Sequence, residues 1–382
     1  MSIDDRLPML NRIRDPVRRE GAERYVLLTA IGFATSVLGV RLFLQLTGYP
    51  QLGNGTLHIA HVLWGGLFLF IASLLPLLFA NRWVYSIGAI LSGIGVGLFI
   101  DEVGKFITQT NDYFFPAAAP IIYACFLMVI MLYLRMKRPP SLDPRAEFYH
   151  VLDSLQEILD HDLEPDELAE LKEHLTYLRK QRGNADYTRL AAGLLTYLDS
   201  KGINVVPTRS TLMEQWSHRL SVWQQKILKK NPLRIALMVS FVFLGLGSFI
   251  ELIVLIAAPS QSILLVRTML SEENVSTHIG TSWFVTRIVF EGIAGAFYTV
   301  SALLFALRQD RKAVAAGYYG LIMSLTVVNI LIFYLAQFKA VAATMSQLIL
   351  LLGLLHYRHY FLPRREAMNT AAKKRSRFLP WK

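Results

Sequence analysis

The chain has 382 residues, with 39 Lys and Arg against 28 Asp and Glu, for a formal net charge of +11. Hydrophobic residues make up 53% and charged residues 18%, where a soluble domain has about 25% charged and about 45–50% apolar residues. That oiliness and a lone cysteine, Cys125, exclude a disordered chain, a disulfide scaffold and an ordinary soluble enzyme. The +11 resembles a nucleic-acid signal until the charges are placed.

A membrane span needs about 20 mainly apolar residues. Residues 1–24 form a cytoplasmic N-terminal segment, whose mixed-sign part from Arg6 to Arg24 reads as an interfacial or solvated helix. Eight apolar stretches follow, over residues 25–46, 58–80, 83–108, 117–136, 233–258, 282–307, 313–336 and 341–360. The first starts too late and runs too long for a cleavable signal peptide. The expected fold class is therefore all-α: a polytopic integral membrane protein of eight transmembrane helices, arranged as two four-helix units, 25–136 and 233–360. Each unit has a glycine pair on its second span (Gly65 and Gly66, then Gly292 and Gly295) and a short basic turn after it. Four spans per copy would make this a parallel repeat.

Between the units, residues 137–232 form a polar insert. Counted over 135–234, it has 16 Lys and Arg and 14 Asp and Glu. Phe148, Val151, Leu152 and Leu155, then Leu168, Leu171, Leu175 and Leu178, recur at helical spacing. The expectation is a bundle of about four helices, a surface on which a protein partner can dock. His150, His161, His174 and His218 are scattered among charges and read as solvated, neutral near pH 7.

Lys and Arg concentrate on the cytoplasmic side of a membrane protein. With both termini in the cytoplasm, the inner segments sum to a charge of +13 and the remainder to −2. The +11 is then a topology signal for the cytoplasmic (inner) membrane, not a sign of a nucleic-acid partner. The basic tail, 361–382, lies beside the last span, so its expected partner is anionic lipid.

An ionisable residue at the middle of a span costs about 2.5–3.5 kcal/mol on insertion scales, so each calls for a partner or a purpose. The second span opens with His58 and His61, three residues apart and hence on one helical face. The third carries Asp101, Glu102 and Lys105 near its outer end, and Asp112 follows in the outer loop. At 1.5 Å per residue, Asp101 falls roughly 10 Å and His61 roughly 5 Å below the outer interface. Glycines at 93 and 97 leave room for close helix approach. Three readings stay open for these residues. One is a catalytic acid/base site of Glu102, His61 and Asp101, in which Glu102 or His61 is the base. Another is a divalent-metal site, zinc by donor type, on His58, His61, Asp101 and Glu102. The last is a structural network, with Asp101 paired to Lys105 and Glu102 held by His61. Lys105 and Asp112 are candidate ligand-binding residues. So are Arg287 and Glu291, an i, i+4 pair on the sixth span.

His61, Glu102 and Asp112, with the Gly-rich third span between them, resemble the VanZ-like group of small bacterial membrane proteins and the related YjdF-like proteins. The resemblance covers about residues 57–136. His58 stands where that group tends to have Lys, and Lys105 where it tends to have Gln or an acid. The phrase from Phe99 to Ile107 also resembles one in uncharacterised bacterial multi-pass proteins. The resemblance implies a bacterial, envelope-related role and no settled reaction.

The functional expectation is an envelope-facing enzymatic or ligand-binding site at the extracytoplasmic face. The alternatives are a transporter, which would need polar groups continuing into the cytoplasmic half of the spans, and a signalling or scaffold protein acting through the insert.

Overall fold

The computed structural model describes residues 16–48, 53–54, 57–58, 60–113, 115–137, 144–159, 163–180, 185–200, 229–259 and 277–362. Helices account for the regular structure there, apart from a two-residue antiparallel ladder of Gly53–Asn54 (β1) and Leu57–His58 (β2). In chain order the helices are α1 (Ala22–Thr47), α2 (Val62–Leu78), α3 (Trp83–Asp101), α4 (Val103–Ile107) and α5 (Ala118–Met136). The polar α6 (Pro144–Leu159), α7 (Pro165–Lys180) and α8 (Ala185–Leu198) come next. The chain continues through α9 (Lys230–Ala257), α10 (Thr277–Ala306), α11 (Asp310–Met323), α12 (Asn329–Ala336) and α13 (Val341–Phe361).

Among the described residues, seven runs are long and apolar enough to cross a membrane: α1, α3, α5, α9, α10, the continuous Asp310–Ala336, and α13. Helix α2 is apolar but has only 17 residues. This is the architecture of a multi-pass helical membrane protein. Hydrocarbon offers backbone N–H and C=O groups no partner, and a helix satisfies them within one segment.

The chain divides into two compact units, Met1–Ile100 with Met128–Trp216, and Asp101–Leu127 with Ser217–Lys382. In the first unit, α3 runs against both α1 and α2. A Cβ on Gly65 of α2 would come within 2.8 Å of the Gly95 carbonyl of α3, and one on Gly95 would come equally close to the Gly65 carbonyl. The glycines at 93 and 97 make the matching approach to α1, at Thr29, Phe33 and Ser36. The Thr29 hydroxyl reaches the Ala89 carbonyl at 3.1 Å.

The insert also lies in the first unit. Phe148, Val151, Leu171, Leu175, Leu178, Ala191, Leu195 and Leu198 form its core, close to the expected helical faces. Leu152 departs from them and is 50% exposed. The expected fourth helix falls on residues 201–228, outside the described residues, as does the basic tail from 363.

In the second unit, Phe241 of α9 stacks on Tyr298 and Phe305 of α10, with centroids 5.6 and 6.4 Å apart. The span Asp310–Ala336 is α-helical at both ends but π-helical over Ser324–Val328.

Gly65 and Gly66 are adjacent, yet a Cβ on Gly66 would meet nothing within 4 Å. Gly65→Ala should therefore lower thermal stability in detergent, by about 1–3 kcal/mol for a forced overpacking. Gly66→Ala should leave stability unchanged or raise it by up to about 1 kcal/mol through helix propensity.

Candidate functional site

The helix entering the site ends at Asp101. Glu102 has φ −92° and ψ 9°, in the sparsely populated bridge region where many active-site residues sit. Helical geometry resumes only for the five residues of α4. Two adjacent carboxylates thus occupy a break at the end of an apolar helix, and both are closed to solvent, at 0% and 1% exposure.

The chain after the break folds back over it. Gly104 allows this, because a Cβ there would lie 2.6 Å from the Asp112 carbonyl. The Thr108 hydroxyl donates to the Gly104 carbonyl at 2.7 Å and accepts from the Asp112 N–H at 2.8 Å. Asn111 turns the chain with φ +52°, a left-handed conformation that Asn tolerates better than most residues. The return brings Tyr113 to the carboxylates, and its hydroxyl donates to Asp101 Oδ2 at 2.6 Å. Lys105 Nζ donates to Glu102 Oε1 at 3.3 Å, and its ammonium lies 5.2 Å from the Tyr113 ring centroid. Each acid thus has a named donor, and a hydrogen bond to a charged group contributes about 1.5–3 kcal/mol.

This geometry adds to the expected pairings and changes one placement. Lys105 meets Glu102 at i, i+3, and Asp101 accepts from Tyr113. His58 and His61 do not share a helical face: His58 is in β2, and His61 caps α2, which starts at Val62. The surroundings of the His58 side chain lie outside the described residues. Asp112 is half-buried and pinned through its backbone. Tyr113 is the member that sequence reasoning missed; its only signal was an aromatic hydroxyl just beyond an Asn-Asp turn. Arg41 of α1 was also passed over, although it is buried within an apolar helix.

Elsewhere in the second unit, Arg287 and Glu291 form the expected pair at 2.6 Å. Glu251 of α9 joins them, 2.8 Å from Arg287. The π-helical segment gathers a further polar group. Tyr123 donates to the Leu325 carbonyl at 2.5 Å, and Tyr298 donates to Ser324 Oγ at 2.6 Å. One turn on, Asn329 Nδ2 donates to Gln347 Oε1 at 2.9 Å and to Thr344 Oγ1 at 3.0 Å. π-Helical turns recur at functional sites because they release carbonyls from the helical ladder.

Among the described residues, no group of three or more His, Cys, Asp and Glu is placed to hold a metal ion. No protein-family model matches the chain, and no curated protein or solved structure matches it.

Removing the Tyr113 hydroxyl leaves a buried carboxylate short of a donor, which costs about 1–3 kcal/mol or more. Tyr113→Phe should lower the unfolding temperature in detergent. The loss should shrink when Asp101→Asn is also present, because the two side chains share one interaction.

Proposed function

We propose that the chain is an eight-span protein of a bacterial cytoplasmic membrane, with both termini inside and an enzymatic or ligand-binding site at the extracytoplasmic face. The short apolar helix α2 supplies the eighth span, and two four-span units in the same orientation make the parallel repeat. One observation carries the site: adjacent, fully buried carboxylates at a break in an apolar helix. An ionisable group inside a span is expensive, and such groups mark substrate paths, proton relays and ligand sites. A break exposes backbone polar groups, which membrane proteins tolerate where the chain is buried in protein or lines a cavity.

In this site Glu102 is the base or ligand, with Asp101 fixed beside it by Tyr113. Lys105 sets the charge of Glu102 or receives an anionic head group, and Asp112 lies in the returning loop. Arg287 and Glu291 are a ligand-binding pair of the second unit. The bacterial, envelope-facing setting is what the VanZ-like resemblance implies. The basic tail is assigned to anionic lipid and the insert to a protein partner. A transporter is the second reading. The second unit has buried Ser301, Ser324 and Asn329 along α10 and the Asp310–Ala336 span, and Tyr357 donates to Asp310 at 2.7 Å toward the proposed inner end.

Glu102→Gln, expressed at wild-type yield, should fail to restore the phenotype of a strain that lacks the chain. Full restoration would overturn the site. The topology has its own test, starting from a Cys125→Ser background. A membrane-impermeant maleimide added to whole cells should label Asn111→Cys and spare Ser154→Cys in the insert; the opposite pattern would invert the orientation.

A further inference from the structure

The start of α9, the turn from α10 into α11 and the end of α13 meet at one end of the second unit. Asp310, the first residue of α11, marks the meeting point. The Tyr357 hydroxyl of α13 donates to Asp310 Oδ2 at 2.7 Å, and Lys230 Nζ of α9 lies 3.8 Å from the same oxygen. Arg234, one turn into α9, lies near enough to the Tyr357 hydroxyl to act on it electrostatically. Arg358 of α13 stands over the Tyr318 ring of α11, 5.8 Å from its centroid. Arg308, with φ +58°, turns the chain from α10 into α11.

The charge at this end is one-sided. Lys229, Lys230 and Arg234 come from the start of α9. Arg308, Arg311 and Lys312 come from the turn into α11, and Arg358 from the end of α13. Among the described residues there, Asp310 is the only acid. Its side chain is 14% exposed and already accepts from Tyr357, whereas the Lys230 side chain is 50% exposed. Arg234 is half-buried, and the other cations are exposed. The far halves of α9 and α10 have no such excess: Glu251 and Glu291 there share Arg287.

Like charges crowded on one rim repel one another, and they do so more strongly beside hydrocarbon than in bulk water. One largely buried carboxylate does not offset them, so the rim calls for anions from outside the chain. The surface next to it selects their kind. Directly after Lys230 and Arg234, Ile235, Val239 and Phe243 are exposed at intervals of four residues, on one face of α9. Tyr360 is exposed near the end of α13, as interfacial tyrosines are at head-group level. A phospholipid supplies an anion and a hydrocarbon chain together; a soluble phosphate supplies only the first.

We propose that this rim is a binding surface for anionic phospholipid. Lys229 and Lys230 of α9, with Arg308 and Lys312 around the start of α11, hold the head-group phosphate. An acyl chain lies along Ile235, Val239 and Phe243. The contacts of Tyr357 and Lys230 with Asp310 tie the three helix ends together, so cations from separate segments share one patch. Basic patches between spans are suited to such head groups. The surface is distinct from the basic tail, because its cations end at Arg358. It depends on the apolar spans and not on the direction in which they cross the membrane.

Native mass spectrometry of the full chain, released from vesicles of equal parts phosphatidylglycerol and phosphatidylcholine, tests this. The wild type should retain the anionic phosphatidylglycerol in preference to the zwitterionic phosphatidylcholine. Each surface cation removed should weaken phosphatidylglycerol binding by about fivefold, so Lys229→Gln with Lys230→Gln should weaken it by about twenty-five-fold. Arg308→Gln with Lys312→Gln should do the same while leaving the Lys230–Asp310 contact in place. Lys230→Arg with Lys312→Arg should keep the wild-type preference. Lys373→Gln with Lys374→Gln, Arg375→Gln and Arg377→Gln, all in the tail, should also keep it. A wild type that retains both lipids equally, folded rim variants that bind phosphatidylglycerol like the wild type, or a tail variant that loses the preference would overturn the proposal.

Discussion

Hydrocarbon has no hydrogen-bonding partner to offer, and most of the architecture follows from that. The backbone answers it by coiling into helices, which close their own ladders. Polar side chains inside the spans must then find partners within the protein. Among the described residues, such partners gather in groups: Asp101 and Glu102 with Tyr113 and Lys105; Glu251, Arg287 and Glu291; and the π-helical segment with Tyr123, Tyr298, Asn329 and Gln347. In the first and third, the helix departs from α geometry where the polar residues gather. The departure makes the donors and acceptors available, and burial makes each of them costly to leave unpaired.

Close helix approach is the second consequence. Attraction between helices in a membrane comes from packing, because lipid tails are as apolar as leucine. Gly65 and Gly95 let α2 and α3 approach until their backbones touch. α3 is held on its other side through Gly93 and Gly97.

Much of this was legible from period and composition. Runs of about 20 apolar residues mark the spans directly, and the insert's core repeats at helical spacing from Phe148 to Leu178. What stayed hidden depended on backbone departures with no period of their own. His58 and His61 read as one helical face, but the ladder at Gly53–His58 ends the regular chain before α2 begins. Asp101 and Lys105 read as an i, i+4 pair, and the contact of Lys105 with Glu102 at i, i+3 has no period of its own. Tyr113 reaches Asp101 only because Gly104 and Asn111 allow the chain to return. His150 and His174 looked like surface residues because their partners lie far off in sequence or on another helix, at Glu20 and Glu147.

The central claim is that Asp101 and Glu102 are kept for chemistry and not for the strength of the fold. A buried ion pair often contributes little net stability, and apolar replacements of similar volume are frequently neutral or stabilising by about 1–4 kcal/mol. Thermal unfolding of the paired apolar replacement Glu102→Met with Lys105→Met, measured in detergent beside the wild type, is the most direct test. The account predicts an unfolding temperature equal to or above that of the wild type, in a protein that has lost its function. An unfolding temperature several degrees lower would contradict it and make the pair a structural clasp.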